Sequence, residues 1–128
     1  MQMPKILVVD DQKGVCRLIT EALGGENYQV FAVGGGLEAL ALLQRIEPDL
    51  ILLDMNMPGM NGLEVNKEIA VLNPAIPVVM MTAYGDTTLL NKAKEAGIQY
   101  FLPKPFDVFE LRKLIADTLS LRLKKVHA

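Results

Sequence analysis

The chain has one cysteine, one histidine and no apolar run long enough to cross a bilayer. A single thiol, Cys16, excludes an internal disulfide and a cysteine-built zinc site. The longest apolar stretches, 50–53 and 76–81, fall far short of the roughly 20 residues a membrane helix needs, so no membrane association is expected. An excess of one charge is lacking too, since thirteen basic residues stand against fifteen acidic ones for a net charge of −2. Proteins held to nucleic acid by phosphate contacts normally carry a basic excess, so that class is set aside. Met1-Gln2-Met3-Pro4-Lys5 runs into four apolar residues and two aspartates, which is not the pattern of a secretory signal. Aromatics are sparse at 5%, while 51% hydrophobic and 22% charged residues are ordinary for a soluble domain. The expectation is one cytoplasmic domain over residues 1–128 with no second module.

Proline punctuates this chain regularly. Pro4, Pro48 and Pro77 each precede a short aliphatic run: Lys5-Ile-Leu-Val-Val, Asp49-Leu-Ile-Leu-Leu and Val78-Val-Met-Met. Such runs without alternation read as strands buried on both faces, which means a parallel sheet covered by helices. Residues 28–33 and 99–102 read as two weaker strands. Between them lies helical periodicity: Val15, Leu18, Ile19, Ala22 and Leu23, then Leu37, Leu40, Ala41 and Leu43, then 63–72, 89–96 and 108–123. Gly24-Gly25, Asn73-Pro74 and Gly97 mark helix ends. The order is β-α five times over, a doubly wound α/β domain with a five-stranded parallel sheet.

Ligands of such sheets bind outside the carboxyl ends of the strands, where strand order reverses. The residues standing there are Asp10-Asp11, Asp54, Thr82 and Lys104. Three carboxylates at one rim repel one another unless a cation neutralises them, and oxygen donors without histidine suit Mg²⁺. A lysine ammonium and a threonine hydroxyl both suit a phosphoryl group. Aspartate can itself be the nucleophile and form an aspartyl-phosphate, a role for which Asp54, after the central run, is best placed. Singly, each residue has a plainer reading. An Asp-Asp pair is commonly a solvated loop or a helix cap, Asp11 being able to cap the first helix, and Pro58-Gly59 is turn chemistry. Joint placement at four strand ends favours chemistry.

Lys5-Ile-Leu-Val-Val-Asp-Asp, Leu50-Ile-Leu-Leu-Asp-Met-Asn-Met-Pro-Gly-Met-Asn-Gly, Met81-Thr-Ala-Tyr-Gly and Phe101-Leu-Pro-Lys-Pro-Phe resemble the receiver domain of two-component response regulators, over essentially the whole chain. Asp10-Asp-Gln-Lys-Gly, Thr82-Ala-Tyr-Gly and Lys104-Pro-Phe-Asp are more narrowly similar to the sporulation-type phosphorelay intermediates. The resemblance implies a flavodoxin-like (β/α)5 fold with strand order 2-1-3-4-5 and a stand-alone receiver with no output domain. It implies that Asp54 accepts phosphate from the phosphohistidine of a sensor histidine kinase and relays it to a histidine phosphotransferase, with a phosphatase as a further partner. Mg²⁺, for which Mn²⁺ can substitute, would be held by Asp11, Asp54 and the backbone carbonyl of Asn56, with Asp10 supporting through water. Thr82 and Lys104 would engage the phosphoryl oxygens, and the Lys104-Pro105 bond would be cis. Self-catalysed phosphorylation and slow dephosphorylation are implied, not metabolic turnover. Phe101 occupies a switch position where tyrosine is frequent, leaving packing alone to act there, and Tyr100 is expected on the opposite side of its strand. The first helix carries two apolar rows, Cys16, Ile19 and Leu23 beside Val15, Leu18 and Ala22. Gln12, Gly14, Val15 and Leu18, with Tyr84, Pro105 and Phe106, would form the docking surface for a helical-bundle phosphotransferase.

Other classes compete. Gly34-Gly35-Gly36-Leu37-Glu38-Ala39 fits a dinucleotide fingerprint on paper, with Asp54 about twenty residues on. It follows the second strand instead of the first, and it leaves Asp10, Asp11, Thr82 and Lys104 unexplained. A Mg²⁺-dependent aspartyl-phosphate phosphatase of haloacid-dehalogenase type uses similar groups. Asp54-Met55-Asn56, however, lacks the second carboxylate that would serve as its acid/base. A chemotaxis-like single-domain regulator keeps the chemistry and changes the partner. Cys16 is expected as a buried small hydrophobe, His127 as solvated, and Arg122, Lys124 and Lys125 as complements to a helix C-terminus.

Overall fold

The computed structural model describes residues 3–25, 27–83, 85 and 87–127, the side chains of 122–127 excepted. The elements alternate throughout: β1 (Lys5–Val9), α1 (Lys13–Gly24), β2 (Gln29–Val33), α2 (Gly36–Leu42), β3 (Leu50–Asp54), α3 (Gly62–Leu72), β4 (Val78–Ala83), α4 (Thr87–Glu95), β5 (Tyr100–Lys104) and α5 (Val108–His127). All neighbouring strands run parallel, in the order β2-β1-β3-β4-β5. The winding reverses between β1 and β3, so the switch point falls where Asp10 and Asp54 stand.

Strand periodicity divides the core in two, because successive side chains point to opposite faces. Ile6, Val8, Leu50, Leu52, Val79 and Met81 pack beneath Ile19 and Leu23 of α1 and Leu111 and Ile115 of α5. Leu7, Val9, Ile51, Leu53 and Met80 face Ala39 of α2, Val65 and Ile69 of α3 and Ala93 of α4. Tyr100 joins the first cluster and Phe101 the second, on opposite sides of β5 as expected. Both central strands are fully sealed over Ile6–Val9 and Leu50–Leu53, which is why their sequences read as unbroken apolar runs.

Several boundaries differ from the sequence reading. β5 continues past residue 102 through Pro103 and Lys104, which an edge strand permits because one side of its backbone needs no ladder partner. In α2 the buried residues are Gly36 and Ala39, while Leu37 is 76% exposed and Ala41 also faces outward. The cause is Gly36, where an added Cβ would lie 2.5 Å from Val65 Cγ2 and 3.0 Å from Met60 Sδ. That close approach of α2 to α3 sets the rotation of a seven-residue helix. Gly36, the first residue of α2, therefore has a packing role, and the Gly34 N–H before it is already bonded to Glu38 Oε2 at 3.3 Å. Asp11 does not cap α1; the N-cap is Gln12, because Asp10 Oδ1 accepts the Gln12 N–H at 2.9 Å and folds the chain back one residue further on. α5 runs on to His127, and the side chains of Arg122, Lys124, Lys125 and His127 lie outside the described residues.

Candidate functional site

Four of the five strands deliver a polar or charged residue to one rim of the sheet. Asp10 is the first residue beyond β1, Asp54 the last of β3, Thr82 the last but one of β4 and Lys104 the last of β5. Asp10, Asp54 and Thr82 are at most 5% exposed, whereas Asp11 lies open to solvent. The Lys104 ammonium reaches across the sheet to Asp10 Oδ2 at 2.8 Å and Asp54 Oδ1 at 3.4 Å. It also donates to Gln12 Oε1 at 3.3 Å. The Asn56 N–H donates to Asp54 Oδ1 at 3.3 Å. The Lys104-Pro105 peptide is cis, as the resemblance implied.

One ammonium does not balance this site. Carboxylate oxygens of Asp10, Asp11 and Asp54 lie within 4.8 Å of one another, and Lys104 answers a single charge. Burial, and then the negative charge of Asp10, push the Asp54 carboxyl above its ordinary value; Lys104 and the Asn56 N–H pull the other way. The all-oxygen donor set and a surplus of two negative charges fit a hard divalent cation. Asp54 thus sits as a desolvated carboxylate at the switch point, flanked by a fixed ammonium and a candidate cation site.

The site opens into a cavity of about 580 Å³. Asp11, Asp54, Asn56 and Lys104 form its polar part, and Val15, Leu18, Pro105 and Phe106 its apolar wall. Five of the seven expected docking residues, Gln12, Val15, Leu18, Pro105 and Phe106, therefore line one concavity. Gly14 is exposed on α1 but does not line it, and Tyr84 lies outside the described residues. Leu18 is 42% exposed, whereas Ile19, Ala22 and Leu23 are buried and Val15 and Cys16 pack against the core, so the second apolar row of α1 is shared between the core and the cavity wall.

Three contributors escaped the sequence reading. Gly62 opens α3 directly against the end of β3, where a Cβ would collide with the Asp54 carbonyl oxygen and lie 2.8 Å from Met55 Cα. Asn61 and Glu64 cap the same helix reciprocally, a signal present in the Asn-x-x-Glu spacing. Cys16 is half-buried, and its thiol donates to the Asp10 carbonyl at 3.3 Å; burial raises its pKa, with the Asp10 charge acting in the same sense.

A switch-point aspartate crowded by two more carboxylates and faced by a strand-borne lysine defines a class of phosphoacceptor domain. The response regulator receiver domain model matches residues 6–116, and the chain belongs to that family. Sporulation initiation phosphotransferase F of Bacillus subtilis is 42% identical over 122 residues, covering 95% of this chain and 98% of that protein. The DNA-binding response regulator MtrA of Mycobacterium tuberculosis is 37% identical over 107 residues, but the chain spans only 46% of its length. Among solved structures, a CheY-like receiver domain protein from Methanospirillum hungatei superposes with a TM-score of 0.91 at 26% identity, covering 97% of this chain and 99% of that one. Chemotaxis protein CheY4 of Vibrio cholerae gives 0.84 at 31% identity over 90% of this chain and 98% of its own.

Proposed function

We propose that this receiver is a phosphorelay intermediate that carries a phosphoryl group on Asp54 between two histidines. The Asp54 carboxylate attacks the phosphorus of a kinase phosphohistidine in line; the new O–P bond forms as the P–N bond breaks, and the imidazole leaves neutral after taking up a proton. Lys104, at 3.4 Å from Asp54 Oδ1, supplies positive charge where the phosphoryl oxygens arrive. Thr82, on the adjacent strand, supplies a hydroxyl to the same group. Mg²⁺ held by Asp11, Asp54 and the Asn56 carbonyl, with Asp10 behind, would offset the charge of the phosphoryl group and the carboxylates. Reversal of the step toward a phosphotransferase histidine needs a partner seated close over Asp54, for which the Val15, Leu18, Pro105 and Phe106 wall is suited.

The observation that carries this reading is the joining of that wall to the carboxylate–lysine cluster in one cavity. The 42% identity to a sporulation phosphotransferase, over nearly the full length of both chains, supports it independently. The reading places the protein in the cytoplasm, acting as a receiver on its own between a sensor histidine kinase, a histidine phosphotransferase and a phosphatase. Likeness to a chemotaxis protein favours a second reading, in which phosphorylation alters a surface that a target reads directly. Phospho-protein freed of kinase and mixed with a histidine phosphotransferase domain separates the two. Phosphate appearing on the histidine supports relay, and retention on Asp54 with phosphorylation-dependent target binding supports direct readout.

A further inference from the structure

Gln12 holds the N-cap position of α1, where serine, threonine, aspartate and asparagine are favoured because a short side-chain oxygen can accept a free helix N–H. Gln12 has the extended backbone of an N-cap (φ −89°, ψ 111°), yet its side chain makes no capping hydrogen bond. Its amide oxygen instead accepts from Lys104 Nζ, 92 residues away in sequence, at 3.3 Å. Its backbone N–H is tied to Asp10 Oδ1 at 2.9 Å, while Asp10 Oδ2 takes the same ammonium at 2.8 Å. The three residues close a ring in which buried Asp10 grips both the backbone of Gln12 and the side chain of Lys104.

We infer that Gln12 is a positioning residue for phosphoryl transfer, orienting the Lys104 ammonium toward Asp54; the inference rests on Asp54 being the phosphoacceptor. The ammonium donates to Asp10 Oδ2 and Gln12 Oε1 and forms an ion pair with Asp54 Oδ1 at 3.4 Å, so two directed hydrogen bonds hold it beside the phosphoacceptor. The Gln12 acceptor is uncharged. A further carboxylate would neutralise the positive charge that must meet the phosphoryl oxygens, whereas an amide oxygen directs the ammonium and leaves its charge intact. Loss of the amide leaves one N–H to mobile water, and the side chain, which is 21% exposed, regains rotamers that point away from Asp54.

The test uses acetyl phosphate as the donor, because it contains no protein surface and so isolates positioning from docking. Wild type, Gln12→Ala and Gln12→Glu are compared for the rate of Mg²⁺-dependent labelling. In parallel, the ammonium signal of Lys104 is followed by ¹⁵N NMR on lysine-labelled protein without metal or donor, and assigned by its loss in Lys104→Arg. Gln12→Ala is expected to slow labelling about three- to tenfold, the scale of losing one solvent-exposed hydrogen bond. It should also shift the ammonium signal and speed its proton exchange with water. Gln12→Glu keeps an acceptor at the same reach and should keep the slow exchange. An ammonium signal identical in wild type and Gln12→Ala overturns the inference, as does a moved signal with unchanged labelling. Wild type that takes no label at Asp54 overturns the phosphoacceptor reading itself and the inference with it, a result distinct from a difference confined to the variants.

Discussion

The two ends of the sheet hold cavities of similar size and opposite chemistry. At the carboxyl ends, about 580 Å³ is shared by carboxylates, a lysine and an apolar wall. At the amino ends of β4 and β5, about 500 Å³ is bounded by Ile69, Ile76, Pro77, Ile98 and Tyr100, and the polar groups there, Asn66, Asn73, Gln99 and Thr118, are all neutral. Thr118 is fully buried but satisfied within its own helix, donating to the Leu114 carbonyl at 2.7 Å. The amino end buries only what packing can satisfy. At the carboxyl end, among the described residues, two carboxylates are buried against a single ammonium, and burial first, then the charge of Asp10, raises the Asp54 pKa. Stability and reactivity are therefore held at opposite ends of the same strands.

Substitutions at each end test that division. Lys104→Ala should cut Mg²⁺-dependent labelling by roughly 10²-fold, on the scale of losing one electrostatic stabiliser of a transition state. Its Mg²⁺ affinity, measured by titration, should be retained; an unchanged labelling rate would remove Lys104 from the mechanism. Ile69→Ala, at the other end, removes a side chain that is 1% exposed. It should cost about 2–5 kcal/mol in denaturant unfolding while the folded fraction labels at the wild-type rate. Loss of specific labelling activity in that variant would break the separation of the ends.

Gly62→Ala tests the junction between packing and site. The added methyl has no room against the Asp54 and Met55 backbone, so α3 must shift. A cost of about 1–3 kcal/mol is expected, with slower labelling because the displaced backbone carries the phosphoacceptor. A normal rate in a destabilised protein would show that Asp54 is placed independently of α3.

The smallest effect is the most diagnostic in sign. Because the folded state raises the Asp54 pKa above its ordinary value of 3.8, the folded protein holds that proton more tightly than the unfolded chain. Stability from this group is present at low pH and is lost as pH rises from the ordinary value through the raised one. In chelator at neutral pH, Asp54→Asn should therefore melt higher than wild type, and the gap should close as pH falls below that window. Mg²⁺ should narrow the gap from the other side by stabilising wild type. A variant less stable than wild type at neutral pH in chelator would contradict the cost of burying the Asp54 charge beside Asp10.

Much of this division was legible in the residues. β1, β3 and β4 showed themselves as unbroken apolar runs because they are covered on both faces, and Asp10, Asp54 and Thr82 were found by looking past those runs, as Lys104 was past the weaker fifth strand. Less visible was whatever depends on two elements meeting. Pro103 hid the end of β5 because edge position is a property of the sheet. Ala39 displaced Leu37 from the core because Gly36 lets α2 approach α3. Gln12 drew notice as an exposed docking residue, whereas its bond to Lys104 joins positions 92 apart in sequence and follows only from the fold.

The central claim is that Asp54 is the phosphoacceptor of a cation-dependent site. Intact mass after incubation with acetyl phosphate, with and without Mg²⁺, on wild type and Asp54→Ala tests it most directly. The account predicts a gain of one phosphoryl group on wild type with Mg²⁺, lost on chelation and absent from Asp54→Ala. A phosphoryl group carried by Asp54→Ala, or gained equally by wild type without a divalent cation, would contradict it.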